Sequence, residues 1–258
     1  MNALRSRPTR TLEDLPRTPP VHISPGVMAQ RWDDVAFISW AYAVPEVQRL
    51  LPDGLEVDTF DGAAWVSVVP FRLTVRLPWT PAMPWTSAFP EVNVRTYVRG
   101  PGGRRGIWFL SLDASRLAAV ILARRSYRLP YMWARTRIVG TDHSWRYVGA
   151  RRWPRTAGTA WDLTVDVGRA MDRVDDLHRF LTARWRLYSP GPLALPAHAI
   201  GFRATTVDHP PWPLRHARLA EGRESLLAAA GLPDPSSAPV VAFSPRVAVR
   251  FGPRHTIS

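Results

Sequence analysis

Along most of this chain, apolar and polar positions alternate with the period of a strand rather than a helix. From Arg31 onward, Val35, Phe37, Ser39 and Ala41 fall on one face and Ala36, Ile38, Trp40 and Tyr42 on the other. Both faces are largely apolar, which predicts a strand covered on both sides. Pro45 opens a short helix carrying Val47, Leu50 and Leu51, and Pro52-Asp53-Gly54 closes it. Strands over 55–60 and 63–71 flank Asp61-Gly62, a strong short-range hairpin signal. Residues 76–90 carry Pro78, Trp79, Pro81, Pro84 and Trp85 and predict a loop with bulky apolar anchors. The strand over 89–98 separates its faces cleanly, with Val92, Val94, Thr96 and Val98 on one side and Glu91, Asn93, Arg95 and Tyr97 on the other.

The glycine-rich stretch 100–106 precedes no helix start of the phosphate-binding kind, so it reads as a hairpin loop. A strand over 107–112 leads to a helix over 116–126 that buries Leu117, Val120 and Ile121 and stops before Pro130. Further strands are expected over 134–139, 144–150 and 160–167. A second helix is expected over 174–188, with Leu177, Phe180, Leu181, Trp185 and Tyr188 as its apolar stripe. Residues 189–213 read as proline-rich loop and strand, 221–230 as a short helix stopped by Gly231, and 246–251 as a last strand. Neither a repeat nor an interdomain linker interrupts this order. The expectation is an α+β fold, with one antiparallel domain over 27–258. Residues 1–26 read as an Arg/Pro-rich tail, and removal of residues 1–20, which have no apolar stretch, is expected to leave stability unchanged.

The face bearing Glu91, Asn93 and Arg95 leaves two readings open. It meets water, as on most half-exposed antiparallel sheets, or the sheet curls and the face lines a pocket.

Composition narrows the chemistry. The chain has 258 residues, 46% of them hydrophobic, enough for a substantial core. It contains no cysteine, which excludes disulfides, thiolate catalysis and cysteine-based zinc sites. Its net charge is +13 and all 34 basic residues are arginine, so no lysine is present to form a Schiff base. The arginines are spread along the chain rather than clustered, so a general replacement of lysine by arginine is favoured over a nucleic-acid partner. No segment is apolar enough to span a bilayer and none resembles a secretory signal, so a cytoplasmic location is expected. The histidines show no metal-site spacing. His209, in Asp208-His209-Pro210-Pro211-Trp212, reads as a structural residue of a rigid loop. Neither a nucleophile elbow nor a Walker sequence is present.

Several segments are similar to the YqjF-like family of uncharacterised proteins: 51–58, 61–71, Glu91-Val92-Asn93-Val94-Arg95-Thr96-Tyr97-Val98, Trp108 through Ser111-Leu112-Asp113-Ala114, 123–131, 180–188 and 209–212. The match spans nearly all of 30–251. The resemblance implies the fold of acetoacetate decarboxylases, a strongly curved antiparallel β-sheet closing as a cone or barrel around a central pocket, with a few peripheral helices. Decarboxylases of that superfamily carry a Gly-Arg-Glu segment followed by a Pro-Lys pair whose lysine forms the imine. Here the matching residues are Ala123-Arg124-Arg125 and Pro130-Tyr131, so arginine is kept at Arg124 while tyrosine replaces the lysine. The superfamily's inner-sheet glutamate corresponds to Glu91.

Together these readings place Glu91 and Tyr131 as catalytic candidates, and Asn93, Arg95, Arg124, Ser111 and Asp113 as ligand-binding candidates. Arg95 suits a carboxylate, Glu91 general acid–base work, and Tyr131 donation to a developing oxyanion. The expected ligand is a small anionic, oxo-acid-like molecule, with no cofactor and no metal. Catalysis without an imine, binding without catalysis, and an arginine-rich nucleic-acid binder remain as three alternatives, and a homo-oligomer is left open.

Overall fold

The computed structural model describes residues 15–24, 26–76, 88–154, 158–191 and 202–257. Most of the anchor-rich loop expected over 76–90, namely 77–87, lies outside them. Thirteen strands follow in the order β1 (Met28–Tyr42), β2 (Glu56–Val57), β3 (Thr59–Phe60), β4 (Ala63–Arg76), β5 (Ala88–Arg99), β6 (Arg105–Ala114), β7 (Tyr131–Gly140), β8 (Ser144–Trp153), β9 (Ala160–Ala170), β10 (Arg186–Pro190), β11 (Phe202–Asp208), β12 (Arg215–Glu224) and β13 (Val240–Ile257). Four helices accompany them: α1 (Val44–Gln48), α2 (Leu117–Tyr127), α3 (Asp176–Thr182) and α4 (Leu226–Ala229).

The strands form one sheet that closes on itself. A ring of hydrogen-bonded neighbours runs β5-β6-β7-β8-β9-β12-β13-β1-β4 and back to β5. A second, smaller ring leaves β6 through β10 and β11 and rejoins at β13. The two rings share the wall β13-β1-β4-β5-β6, and each side of that wall holds its own core. One core gathers Phe37, Phe71, Tyr97, Phe109, Leu112, Leu187, Val207 and Phe251. The other gathers Ile38, Val66, Val92, Val94, Tyr147, Leu163 and Phe243. This is why β1 reads as apolar on both faces: it separates two interiors.

Local irregularities supply the curvature. Asp34 adopts a left-handed backbone (φ 57°), and the β1–β4 register shifts between Asp33 and Ile38. The β5–β6 register shifts between Val94 and Arg95. An extra residue on one strand bends and twists it, as closing a sheet requires.

The structure departs from the sequence expectations in four places. The sheet is mixed, because β6 pairs in parallel with both β7 and β10. The β6–α2–β7 segment is a crossover, and a crossover delivers a parallel neighbour. The helix expected over 174–188 ends at Thr182, and 186–190 is strand β10. Beyond Thr182 the pattern becomes alternate, Arg184 and Arg186 against Trp185 and Leu187, and the Arg184 Nε–H donates back to the Phe180 carbonyl. The helix expected over 221–230 shrinks to α4, because β12 continues to Glu224, whose carboxylate accepts from the Leu226 and Leu227 N–H groups. Residues 15–24, which composition assigns to the tail, contribute packing. Leu15 is buried with Ala183 and Trp185, the Trp185 indole donates to the Pro16 carbonyl, and the Ile23 N–H donates to Asp208. Among the described residues, no helix is long and apolar enough to cross a membrane.

Candidate functional site

The alternation on β5 places Glu91, Asn93, Arg95 and Tyr97 on the face that looks into the smaller ring's core. Their cross-strand neighbours on β4 are Phe71, Val69 and Ser67, and Asn93 lies opposite Leu112 on β6. All three polar side chains are buried: Glu91 is 2% exposed, Asn93 0% and Arg95 3%. The face therefore turns away from water, the inward of the two readings.

Tyr131 joins this face through two successive pairings. Leu112, opposite Asn93, also pairs in parallel with Tyr131 at the start of β7. The Tyr131 hydroxyl donates to Glu91 Oε2 at 3.1 Å. Burial pushes the Glu91 carboxyl up to about 8; the Tyr131 hydrogen bond restrains the rise, and the Asp113 carboxylate adds to it. Burial likewise holds the Tyr131 phenol well above its ordinary value, reinforced by Glu91. Glu91 is thus largely protonated at neutral pH, and the Glu91–Tyr131 pair is a proton-carrying unit rather than an ion pair.

Arg95 and Glu91 do not pair with each other. One Arg95 Nη2–H donates to the Leu181 carbonyl at 3.1 Å, and the guanidinium lies over the rings of Phe37 (5.3 Å) and Tyr97 (5.7 Å). Its Nε has no hydrogen-bond partner, and neither does the Asn93 carboxamide, at its oxygen or its nitrogen. Asn93 stands between Glu91 and Arg95 on one strand face, about 7 Å from each by strand geometry.

Arg124, Ser111 and Asp113 are placed differently. Arg124, in the last turn of α2, donates from Nη1 to the Tyr131 backbone carbonyl at 2.6 Å and lies over the Trp153 ring. It fastens the segment that presents Tyr131 and does not meet Glu91 or Arg95. Ser111 and Asp113 pair with Val94 and Val92 and so face the other core. There Asp113 receives Arg151 at 2.7 and 2.8 Å, and Ser111 donates to Asp113 at 3.3 Å. Burial raises the Asp113 carboxyl against the opposing pull of Arg151. Asp113 reaches the site only across the sheet, where its charge raises the Glu91 carboxyl. The bulge at Leu110 does not alter this assignment, because it lies between Arg95 and Val94 and leaves the pairing of 111–114 in step.

Sequence reasoning missed several groups in the same interior. Ser39, Ser67 and Tyr97 form a hydrogen-bonded chain, 2.7 Å at each link. Buried Asp58 binds Arg184 at 2.7 Å and Arg99 at 2.8 Å, with Arg105 at 3.6 Å, and Arg184 lies over the Tyr97 and Phe180 rings. Ser39 and Ser67 were detectable as hydroxyls set among otherwise apolar strand faces; nothing in the sequence joins Asp58 to Arg184, 126 positions away. His209 is buried between Trp185 and Trp212, with ring centroids 4.3 and 5.3 Å away, and burial holds its imidazole below the usual value.

A groove of about 590 Å³ opens beside α3. Thr182, Ala183, Trp185 and Trp212 form its inner side, and Arg17, Arg173 and Arg179 are among the residues at its mouth. Trp212 also packs against Phe37 (4.9 Å, edge-on) and Trp32 (5.8 Å) in the interior.

The model of DUF2071, described as an uncharacterized conserved protein, matches residues 29–248. An uncharacterized protein YqjF of Bacillus subtilis (strain 168) is 33% identical over 228 residues, 88% of this chain and 91% of that one. Among solved structures, an acetoacetate decarboxylase-like enzyme from Sphingomonas wittichii RW1 superposes with a TM-score of 0.63 at 14% identity, covering 93% of this chain and 96% of that one. The enduracididine biosynthesis enzyme MppR complexed with pyruvate gives 0.63 at 15% identity, covering 93% of each chain. Acetoacetate decarboxylase from Legionella pneumophila subsp. pneumophila str. Philadelphia 1 gives 0.60 at 13% identity, covering 99% and 98%. At these identities the likeness is one of fold: a closed, curved sheet of the acetoacetate decarboxylase kind.

Proposed function

Because this chain belongs to the DUF2071 family of uncharacterized conserved proteins and has an acetoacetate decarboxylase-like fold, we propose that its Glu91–Asn93–Arg95 face takes a small oxo-acid, and that Glu91 and Tyr131 move a proton on it without an imine. The observation that carries this reading is the charge balance of the face. Arg95 is buried, its Nε is unpartnered, and no carboxylate forms an ion pair with it among the described residues. A buried cation is costly unless paired. A ligand carboxylate answers it, accepting from Arg95 and from the unpartnered Asn93 amide.

The remaining chemistry follows from position. With the carboxylate at Arg95 and Asn93, the oxo end of the ligand extends toward Glu91 and Tyr131. The ionised form of Glu91, the minority at neutral pH, takes a proton from the carbon next to the oxo group; the C–H bond breaks and its electrons pass to the oxo oxygen as an enolate. Tyr131 turns its hydroxyl from Glu91 to that oxygen, and Glu91 returns the proton to carbon. The absence of lysine removes the covalent route of the superfamily's decarboxylases.

Pyruvate is the natural probe, being the ligand of the structurally similar MppR complex. Calorimetry should detect pyruvate binding to the unaltered protein, and Arg95→Ala should weaken it at least about a hundredfold, the loss of a charge-assisted pair. Undiminished binding by Arg95→Ala would overturn the site. Proton–deuteron exchange at the pyruvate methyl, followed by NMR in heavy water, separates catalysis from storage. Exchange abolished by Glu91→Gln supports proton transfer, whereas binding without exchange makes the protein a carrier of the ligand.

A further inference from the structure

Arg95 and Trp212 are held by adjacent carbonyls at the C-terminal end of α3. Arg95 Nη2 donates to the Leu181 oxygen at 3.1 Å, and the Trp212 indole N–H donates to the Thr182 oxygen at 3.1 Å. The last carbonyls of a helix have no partner within it; Arg95 supplies a donor at Leu181, and at Thr182 Trp212 adds a second to the Arg184 N–H. Trp212 has two environments. It lines the groove on its outer side and packs edge-on against Phe37 on its inner side, and the Phe37 ring carries the Arg95 guanidinium 5.3 Å from its centre.

We propose that the groove beside α3 is the route by which an anionic ligand enters the Arg95 face, and that Trp212 is the door at its inner end. The proposal rests on the oxo-acid reading and adds to it a path and a gating residue. The mouth of the groove suits an anion. Its acids are already engaged, Asp172 with Arg169, Asp176 with Arg179, and Asp175 with the N–H of His178 at the start of α3. The lining balances three arginines against three aspartates, and Arg17 and Arg173, which form no ion pair among the described residues, are the two cations left to meet an anion. The hinge is equally local. The Trp212 ring makes one hydrogen bond and packs on Phe37, Trp32 and His209, so turning it about the stiff Pro210-Pro211 pair breaks that bond and parts three ring contacts. An anion that draws Arg95 toward itself also releases Leu181, next to the carbonyl that holds Trp212. Ligand capture and door position are therefore mechanically linked.

The experiment uses the natural absence of cysteine. Val174 lines the groove and is 39% exposed, whereas Val139 is 48% exposed on β7 and does not line it. Val174→Cys and Val139→Cys are each labelled with a bulky maleimide, and pyruvate association is followed by stopped-flow tryptophan fluorescence. The expected result is that label at position 174 slows association and dissociation together by about tenfold or more, as blocking a passage does, while label at position 139 changes neither. Trp212→Phe, which keeps a ring but loses the indole N–H, should accelerate both rates with little change in Kd. Equal rates in labelled Val174→Cys and the unlabelled protein would overturn the route, and unchanged rates in Trp212→Phe would overturn the door. The Arg95→Ala variant separates these failures from failure of the site. If it binds pyruvate normally, or if the unaltered protein binds none, the site reading falls and the route with it.

Discussion

At the scale of single residues, the central fact is that period two on β5 sets three polar side chains in a row and the closed sheet turns them inward. The sequence showed the row and its members but left its direction open, because alternation is the same whether a polar face meets water or a cavity. Resemblance to a cone-forming family implied the inward direction, and the three side chains are buried. It did not resolve Ser111 and Asp113, whose face follows from register with Val94 and Val92. It did not show that Glu91 turns to Tyr131 and not to Arg95 either, since side-chain partners depend on which strands the ring brings together. Glu91 makes a prediction in pH. Its native value of about 8 lies above the ordinary 4.5. The native state therefore holds the proton more tightly, and its contribution to stability is full below about pH 4.5 and is lost as pH rises through about 8. Glu91→Gln should flatten the stability–pH curve over that window, by on the order of a few kcal/mol in chemical denaturation. Tyr131→Phe removes the hydrogen bond that restrains the rise, so the Glu91 titration should move still higher, as read by carboxyl infrared absorption. A downward movement would contradict the assigned roles.

At the scale of elements, most strands announced themselves by alternation, and the Asp61-Gly62 turn lies between β3 and β4 as read. The expected helix over 174–188 failed because Trp185, Leu187 and Tyr188 satisfy both periods for a few residues; the donor side chain of Arg184 and the pairing of β10 with β6 and β11 decide the outcome. β10 also shows a close fit that the sequence concealed. Tyr188 is fully buried, and its ring lies where a Cβ on Gly106 would stand, 2.7 Å away. The glycine is required there by the approach of the ring. Gly106→Ala should cost about 1–3 kcal/mol, the range for overpacking a filled interior. Thermal unfolding checks this, and a melting temperature equal to the unaltered protein's would mean that the β6–β10 contact relaxes freely.

At the scale of the whole molecule, the excess of arginine tells less about partners than about internal wiring. Asp33, Asp58, Asp113, Asp162 and Asp166 are each tied to one or more arginines, and Asp58 alone joins β10's approach to β5 and β6. The domain also draws on residues before its expected start. Deleting residues 1–24 removes buried Leu15 and Ile23 together with the bonds from Trp185 to Pro16 and from Ile23 to Asp208. Burying such a side chain contributes about 1.5–3 kcal/mol, so this truncation should lower the melting temperature by several degrees. An unchanged value would show that these contacts add nothing to stability.

The doubly used strand β13 has a consequence for the order in which the chain can mature. It pairs with β1, β11 and β12, and so completes both rings, yet it leaves the ribosome after the twelve other described strands. Until it emerges, one edge of β1 stays bare and neither interior can be sealed. Such distant pairings form slowly, and unsealed edges invite other chains. The protein's dependence on a protecting chaperone should therefore be concentrated in its nascent life, and its productive yield in cells governed by how quickly this eighteen-residue strand finds β1.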